Sequence, residues 1–529
     1  MIIMKKKETG SLIGGAVSLT VSVLIVKVIG FIYKLPLSYV LGDEGMGYFN
    51  SAYTIFTFFY MLCSGGVPKA VSILIAEKRA KNDYYGIERI LSSAVKIFVT
   101  VGVAFSVALF VFSDFFAVAI GNELSAFSLI AIAPSLMFVS AAGVFRGYLN
   151  GSEKMLPIAV SEVIEGLIKF ILGLAMALLG NRLGYENQIV SALAILGVSI
   201  GAFFGAAFLL VCVKIDKKEH KTEQNTQTDA CSREFIFAIL RISVPITLSA
   251  AIMGISNLID LGMIMKRLVS IGVSEGNAVA AYGNFTTLVI PMVNLIMAIA
   301  SPLSNAALPR MTMKYTSGNL YDFSNFVGNV LTFISFVASP LFFAYLLFSN
   351  EILLFLFEDS SAAFGAPLLT VLSPAVVLIP FLTVLNTALE ASSKPKLSLA
   401  SMAVGAVVKL LGSYFLIGRF GIHGAPLSSI LSYAISFLIS FACAQRYTGL
   451  KFGALLEALP SFLIAGFSVS IFRFAYIGVC KGGYNTFLFL SFAMMSALVY
   501  ILLSVIFARR KIKLIIKSVN FNKKREKTL

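Results

Sequence analysis

The 529-residue sequence contains no tryptophan and only two histidines, and charged residues make up only 13% of it. Soluble globular chains carry nearer a quarter charged residues, so this fraction excludes a set of ordinary soluble domains. The two histidines, His220 and His423, are too isolated to indicate a metal site or acid–base chemistry. The five cysteines lack metal-ligand spacing and any paired framework, so we predict neither a disulfide nor a zinc site.

A phosphate-binding loop of the Gly-x-x-x-x-Gly-Lys-Ser/Thr type is also missing, which excludes a Walker-type ATP site. No constellation of residues indicates catalysis, so we predict a protein that is not an enzyme and that has no catalytic residue, cofactor or firm metal site. If the protein moves a solute, either a gradient or a partner that consumes the moved molecule has to drive the cycle, and Na⁺ and H⁺ are the candidate coupling ions.

Apolar residues are abundant instead, at 58% of the chain, and the mean hydropathy is +0.90. One helical crossing of a bilayer needs about 20 apolar residues. The sequence therefore predicts an all-α polytopic membrane protein with fourteen transmembrane helices. The candidate spans are 12–40, 48–76, 90–113, 125–146, 156–180, 188–213, 237–265, 278–309, 322–348, 363–389, 398–418, 424–445, 455–474 and 485–508. The basic start resembles a signal peptide, but without a convincing cleavage site we expect an uncleaved first span.

The net charge of +16 is distributed as expected for membrane orientation rather than for nucleic acid binding. With the amino terminus in the cytoplasm, the cytoplasmic segments hold 29 Lys and Arg, the outer loops hold five, and the spans hold eight. We therefore predict that both termini are cytoplasmic, that the protein lies in the cytoplasmic membrane, and that it has no nucleic acid partner. We expect a monomer that contacts membrane lipids.

An internal repeat divides the chain. Tyr48, Asn50 and Pro68 recur 234 residues later, whereas Pro134, Lys154 and Lys169 recur 240 residues later. Two six-span blocks enter the membrane in the same direction, so we expect a pseudo-two-fold axis along the membrane normal, with the site between the halves. The predicted parts are an N-terminal lobe at 1–213, a cytoplasmic linker at 214–236, a C-terminal lobe at 237–447, two extra spans at 448–508 and a basic cytoplasmic tail at 509–529.

Charges inside the spans indicate where a site lies, because they are costly in lipid and usually face a cavity. Lys27 and Lys34 lie seven residues apart on one stripe of span 1, about 10.5 Å along the axis. They form either the wall of an anion-binding cavity or two separate ion pairs with neighbouring helices. Lys69 follows the helix-breaking stretch 64–68, which either lines an opening or is a packing kink.

Span 5 carries Glu162, Glu165 and Lys169 on one stripe. Glu165 and Lys169 are spaced to neutralise each other, whereas Glu162 could meet Lys27 or Lys34 across a cavity. Lys409 is the repeat mate of Lys169. In span 7, Asp260 and Asn257 offer oxygen ligands for a proton or a cation such as sodium, or make a structural hydrogen bond. The five deep lysines exceed the three acids by two, and this favours an anionic substrate.

Three stretches carry a resemblance to a known family. They are Val26–Lys34 followed by Leu41-Gly42, Ser64–Pro68, and Gly143–Gly151. Together with fourteen spans in two six-span halves plus two, they resemble the polysaccharide-exporter branch of the multidrug/oligosaccharidyl-lipid/polysaccharide flippase superfamily, and within it the lipid II flippases of Gram-positive bacteria. Better-known Gram-negative members have further basic residues in spans 2 and 8. The nearest positions here are Tyr60 and Asn284, and neither is basic.

The resemblance implies alternating access and movement of an undecaprenyl-pyrophosphate-linked glycan, such as a lipid II-like cell-wall precursor, from the inner to the outer leaflet. It implies roles in peptidoglycan, spore-cortex or polysaccharide synthesis, and cell-wall synthesis proteins as candidate partners. Lys27 matches the family's basic position in span 1, Lys34 lies close to a second one, and the extra spans at 448–508 would form a groove for the lipid tail. The alternatives are export of another lipid-linked polysaccharide unit, multidrug/cation antiport, and a non-transporting sporulation or cell-envelope scaffold.

Overall fold

The computed structural model describes residues 2–80, 83–152, 154–219, 233–357, 359–392, 394–480 and 484–519. Throughout these residues the regular structure is helical, and no strand is found in them. Helices satisfy every backbone hydrogen bond within one segment, which lipid requires because it offers no partners. The prediction of an all-α membrane protein is therefore confirmed.

The chain divides into two compact units, Met1–Thr287 and Leu288–Leu529. Unit 1 contains α1 (Ile2–Ser64), α2 (Val67–Ala80), α3 (Tyr84–Val111), α4 (Ser113–Ile120), α5 (Ala126–Ile132), α6 (Ser135–Gly151), α7 (Met155–Arg182), α8 (Asn187–Glu219), α9 (Arg233–Ser270) and α10 (Glu275–Asn284). A π-helical turn, Phe285–Val289, follows α10. Apolar side chains of α2, α3, α6 and α8, such as Ile75, Ile90, Leu149 and Leu209, form a buried core.

Unit 2 continues with α11 (Ile290–Asn294), α12 (Met297–Thr316), α13 (Leu320–Leu347), α14 (Ser349–Leu356), α15 (Asp359–Leu372), α16 (Ala375–Ala391), α17 (Pro395–Phe420), α18 (Gly424–Thr448), α19 (Gly453–Leu456), α20 (Leu459–Cys480) and α21 (Thr486–Val519). Its core is formed by buried side chains of α12, α13, α16 and α18, such as Met311, Phe323, Leu385 and Phe441.

The first helix, α1, folds back on itself at Gly42. This residue has φ 64° and ψ −177°, a backbone conformation that favours glycine. The ring centroids of Tyr33 and Phe49 lie 6.2 Å apart, although sixteen residues of straight helix would separate them by about 24 Å. The two segments of α1 therefore lie side by side, as the predicted boundary between spans 1 and 2 requires.

Eight helical segments among the described residues are long and apolar enough to cross a membrane, or up to ten if each of two bent pairs is one span. Two of the eight, Ile32–Arg79 and Pro395–Thr448, contain 48 and 54 residues. Each contains more than twice the about 20 residues that one crossing of the membrane needs. The described residues thus establish a multi-pass protein, and the count of fourteen spans stays a prediction.

Glycines of the 143–151 stretch allow α6 to pack against α2. A Cβ atom on Gly147 would come within 2.9 Å of the Pro68 carbonyl oxygen, and one on Gly151 within 2.7 Å of the Ser72 carbonyl oxygen. Small residues at this spacing let membrane helices approach closely. The break at 64–67 is likewise a close contact, because a Cβ on Gly66 would meet the Ser243 carbonyl oxygen of α9 at 2.2 Å. Packing therefore accounts for this kink.

The 240-residue shift found in the sequence recurs in local structure. Pro134 precedes α6 at a bend of 41°, and Pro374 precedes α16 at a bend of 44°. Lys154 and Lys394 are the equivalent N-cap residues directly before α7 and α17. The compact units follow a different division from the repeat, because α9 and α10 pack on α1. The predicted lobes therefore stay a prediction, and most of the predicted linker, 220–232, lies outside the described residues.

Candidate functional site

Lys34, in the first segment of α1, is held by two polar contacts within unit 1. Its Nζ atom donates hydrogen bonds to Asn50 Oδ1, 3.3 Å away, and to the carbonyl oxygen of Thr286, 3.0 Å away. Asn50 lies in the second segment of α1, so the fold at Gly42 brings it to Lys34. Asn50 Nδ2 donates in turn to Thr287 Oγ1 at 2.8 Å. The ammonium group is thereby anchored but only partly buried.

The acceptors at Thr286 and Thr287 belong to the π-helical turn that follows α10. Such turns are rare and occur often at functional sites, since they displace backbone groups from the α-helical pattern. The preceding helix is fixed against α1 by glycine contacts: a Cβ on Gly283 would lie 2.4 Å from the Asp43 carbonyl oxygen. Thr54 Oγ1 and the Tyr282 hydroxyl are also hydrogen-bonded at 2.9 Å. Close helix packing therefore positions the turn beside Lys34.

Lys169 of α7 faces aromatic rings of α1. Its Nζ atom lies 5.0 Å from the centroid of the Tyr53 ring and 5.7 Å from that of Tyr33. These are cation–π contacts. Among the described residues we find no hydrogen-bond acceptor for this ammonium group, which is partly exposed. Lys169 and Lys34 are close enough for their charges to repel each other.

About one turn earlier on α7, Glu165 forms an ion pair with Arg146 of α6, with 2.9 Å between Oε2 and Nη2. The hypothesis that Lys169 neutralises Glu165 is therefore corrected, because the Glu165 carboxylate pairs with the guanidinium group of Arg146 on a neighbouring helix. A planar guanidinium group suits a carboxylate better than an ammonium group does. Glu162 also interacts electrostatically with Arg146, as does the Tyr60 phenol.

We call this region the polar cluster and define it by Lys34, Tyr53, Tyr60, Arg146, Glu165 and Lys169. All six side chains are partly exposed. Four of them are charged. Those on α1 and α7 lie on helices apolar enough to cross a membrane, and α6, which carries Arg146, is apolar enough together with α5 as one bent pair. Charged groups within membrane-spanning helices normally face the protein interior or a water-filled cavity.

The remaining predicted residues lie elsewhere. Lys69 is exposed on α2, and the side chain of Lys27 lies outside the described part of the structure. Asp260 is buried on α9 and interacts electrostatically with Tyr282, whereas Asn257 is exposed. Their proposed ion coupling stays a prediction.

Lys409 belongs to unit 2, where only 2% of its surface is exposed. It lies on the face of α17 that also carries Ser401, Gly405 and Ser413. Ser432 of α18 donates to the Gly405 carbonyl oxygen at 2.7 Å, and Ser413 and Ser428 are hydrogen-bonded at 3.0 Å. The structure therefore brings Lys34 and Lys169 together, whereas Lys409 is enclosed in a serine-rich helix contact.

Tyr33, Tyr53, Arg146 and Thr286 were not selected from the sequence as site residues. For Tyr53 the sequence did contain a signal. This residue recurs with Phe49, Phe56 and Tyr60 at the spacing of one helical face. For the Thr286 carbonyl oxygen the sequence contained no signal, because helix packing decides which backbone acceptor lies beside Lys34.

Comparison with known proteins agrees with this architecture. The family model described as "Polysaccharide biosynthesis protein" matches residues 12–315, more than half of the chain. The chain belongs to this family. The model named MatE matches residues 245–415. Together these matches place the protein in the multidrug/oligosaccharidyl-lipid/polysaccharide flippase superfamily, as its motifs indicated.

Two relatives from Bacillus subtilis (strain 168) align over most of their length. "Lipid II flippase MurJ" is 24% identical over 472 residues, covering 86% of each chain. "Stage V sporulation protein B" is 23% identical over 445 residues, covering 82% of this chain and 83% of the relative.

Solved structures share the fold. "Lipid II flippase MurJ, inward closed conformation" superposes with a TM-score of 0.71 at 16% identity, over 93% of this chain and 99% of that one. An inward-facing multidrug transporter of the same superfamily gives a TM-score of 0.66 at 14% identity, over 82% and 98%. At these identities the similarity establishes the membrane transporter fold alone.

Proposed function

We propose that the protein is a flippase that moves an undecaprenyl-pyrophosphate-linked cell-wall precursor, of the lipid II type, from the inner to the outer leaflet by alternating access. It acts in the bacterial cytoplasmic membrane with both termini in the cytoplasm. The names of the two Bacillus relatives support this substrate class. The observation that carries the proposal is that Lys34 and Lys169 lie close together in the polar cluster.

Two lysines with interacting charges suit a pyrophosphate, which carries about two negative charges. Like charges on partly buried side chains repel each other, and an anion between them removes that repulsion. Lys34 is anchored by Asn50 and Thr286, so it fixes one side of the anion. Lys169 rests on aromatic faces and can turn its three donors toward the ligand.

The lipid tail needs a separate apolar path, which we assign to α20 and α21 within 448–508. Large apolar side chains are exposed on both helices: Phe474 is 77% exposed and Phe487 is 79% exposed. Exposed side chains of this kind are compatible with lipid contact. The groove stays part of the proposal.

A direct test uses purified full-length protein in vesicles that contain fluorescent lipid II. Transfer to the opposite leaflet is measured with an impermeant quencher. Lys34→Ala and Lys169→Ala should each abolish transfer, while Lys96→Ala, which changes an exposed lysine of α3, should transfer at the original rate. Equal transfer by all four proteins would reject the anion site. Absence of transfer by the unsubstituted protein would reject lipid II as substrate.

A second candidate, multidrug or cation antiport, is favoured by the MatE match over 245–415 and by the acidic pair Glu162 and Glu165. In cells depleted of the protein, unchanged lipid II exposure together with increased drug sensitivity would favour antiport. Accumulation of lipid II in the cytoplasmic leaflet would favour the flippase. Accumulation of a different lipid-linked glycan would favour export of another polysaccharide unit.

A further inference from the structure

The second segment of α1 presents a ladder of four aromatic rings, formed by Phe49, Tyr53, Phe56 and Tyr60. Phe49 and Tyr53 are stacked, with centroids 6.1 Å apart and ring planes 10° apart. Phe56 lies 5.9 Å from Tyr53 on one side and 5.9 Å from Tyr60 on the other. The rings thus form a continuous aromatic row along one helix face.

Burial along this row is uneven. Phe49 and Phe56 are only 2% and 5% exposed, so they act as packing. Tyr53 and Tyr60 are partly exposed. Neither phenol hydroxyl has a hydrogen-bond acceptor or donor among the described residues. Unmatched hydroxyls beside partly exposed rings indicate surfaces that are available to a ligand.

Polar groups border these two rings at both ends. Lys169 lies over Tyr53, whereas Arg146, Glu162 and Glu165 interact electrostatically with Tyr60. Seven residues separate Tyr53 from Tyr60, which corresponds to about 10.5 Å along the helix. A cation suited to an anion therefore lies at one end of the row, and paired donors and acceptors lie at the other.

We propose that Tyr53 and Tyr60 form a glycan subsite, in which sugar rings attached to the pyrophosphate stack on the two phenol rings and sugar hydroxyls bond to Arg146 and Glu165. This inference rests on the proposed function and extends it to the headgroup. Sugar rings have an apolar C–H face that packs on an aromatic ring, and their hydroxyls both donate and accept. A binding site with aromatic walls and few polar groups supplies both interactions.

The order of groups also predicts the direction of the substrate. The pyrophosphate lies between Lys34 and Lys169, and the glycan extends along α1 from Tyr53 toward Tyr60. The Arg146–Glu165 pair then contacts the part of the glycan farther from the phosphate. A planar aromatic cation fits less well, because Lys169 already places a positive charge over the Tyr53 ring.

The test compares two probes, lipid II and undecaprenyl pyrophosphate without sugar, on the full chain in lipid nanodiscs. Tyr53→Leu and Tyr60→Leu should each weaken binding of lipid II by about threefold to tenfold, the size of an aromatic contact, and should leave undecaprenyl pyrophosphate binding within about twofold. Tyr60→Phe, which keeps the ring, should retain most of the affinity. Tyr185→Leu removes an exposed tyrosine in the loop after α7 and serves as the control, with no change expected for either probe.

The sequence offers a second readout because it contains no tryptophan. In Tyr60→Trp the introduced indole is the single one in the protein. Its emission should shift on addition of lipid II and remain constant on addition of undecaprenyl pyrophosphate. A shift with both probes, or equal affinity losses for both probes in the leucine variants, would overturn the glycan subsite.

The same experiment separates the two proposals. If Lys169→Ala weakens both probes while Tyr60→Leu weakens neither, the anion site stands and the glycan subsite falls. If the unsubstituted protein binds neither probe, the proposed function falls, and the glycan subsite falls with it.

Discussion

Lys34 and Thr286 are joined by a hydrogen bond of 3.0 Å, from the side-chain ammonium group to a backbone carbonyl oxygen in a π-helical turn. The contact fixes the cation without neutralising it, because a carbonyl group carries no net charge. Lys34 is therefore both anchored and available to an anion.

Charge rather than shape should decide the effect of substitutions at this position. Lys34→Ala and Lys27→Ala should abolish complementation of a depletion strain while the protein is still inserted, and Lys34→Arg should retain more activity than alanine because it keeps the charge. Protein abundance in membranes is measured in parallel. Full complementation by both alanine variants at native abundance would contradict the anion site.

The Arg146–Glu165 pair should stabilise unit 1. Arg146→Leu leaves a partly buried carboxylate without its guanidinium and should lower the free energy of unfolding by about 1–3 kcal/mol, seen as a lower melting temperature in detergent. The exchange Arg146→Glu with Glu165→Arg restores opposite charges and should recover part of the loss. Identical melting of the single and exchanged variants would show that the pair is not coupled.

The contact between α10 and α1 at Gly283 should not tolerate an added methyl group. In an open helix, Gly→Ala stabilises by up to about 1 kcal/mol, whereas overpacking costs about 1–3 kcal/mol. Gly283→Ala should therefore lower stability, since its Cβ would lie 2.4 Å from a backbone oxygen. Gly262→Ala is the matched control, because nothing lies within 4 Å of its Cβ. Equal melting temperatures of the two variants would disprove the close approach of α10 to α1.

Orientation can be measured with the natural cysteines. Cys480, at the end of α20, should react with an impermeant thiol reagent added outside intact cells. Cys231, in the predicted cytoplasmic linker and outside the described residues, should react only after permeabilisation. Each is followed in a variant in which the other four cysteines are serine. Labelling of Cys231 from outside would reverse the predicted orientation.

The membrane potential should drive the cycle. Each charge that crosses the field gains about 2.3 kcal/mol per 100 mV, and with the inside negative the outward movement of an anion is favourable. Collapse of the potential by an ionophore, at constant pH gradient and sodium concentration, should stop flipping. Continued flipping after collapse, combined with inactivity of Asp260→Asn, would assign the driving force to ion coupling instead.

Hydropathy predicted the fold class because a long apolar segment in lipid has to satisfy its backbone hydrogen bonds internally, as a helix does. The helix boundary near Gly42 followed from the same hydropathy pattern. Lys34 and Lys169 were also identifiable, since a lysine inside an apolar run is conspicuous. Their proximity was not predictable, because it depends on the packing of α7 against the folded α1. The helix spacing rule paired Glu165 with Lys169 because it considers one helix alone, whereas Arg146 approaches from another.

The π-helical turn at Phe285–Val289 has a consequence for insertions and deletions. A π-turn contains one residue more than an α-helical turn, so removal of one residue there would restore the α-helical spacing. Because the wider turn absorbs the extra residue, side chains after the deletion would keep nearly the same angular position about the helix axis. The backbone acceptors of the turn would move, and the Thr286 carbonyl oxygen that binds Lys34 is one of them. Substitutions within the turn should therefore preserve this contact better than a change of length.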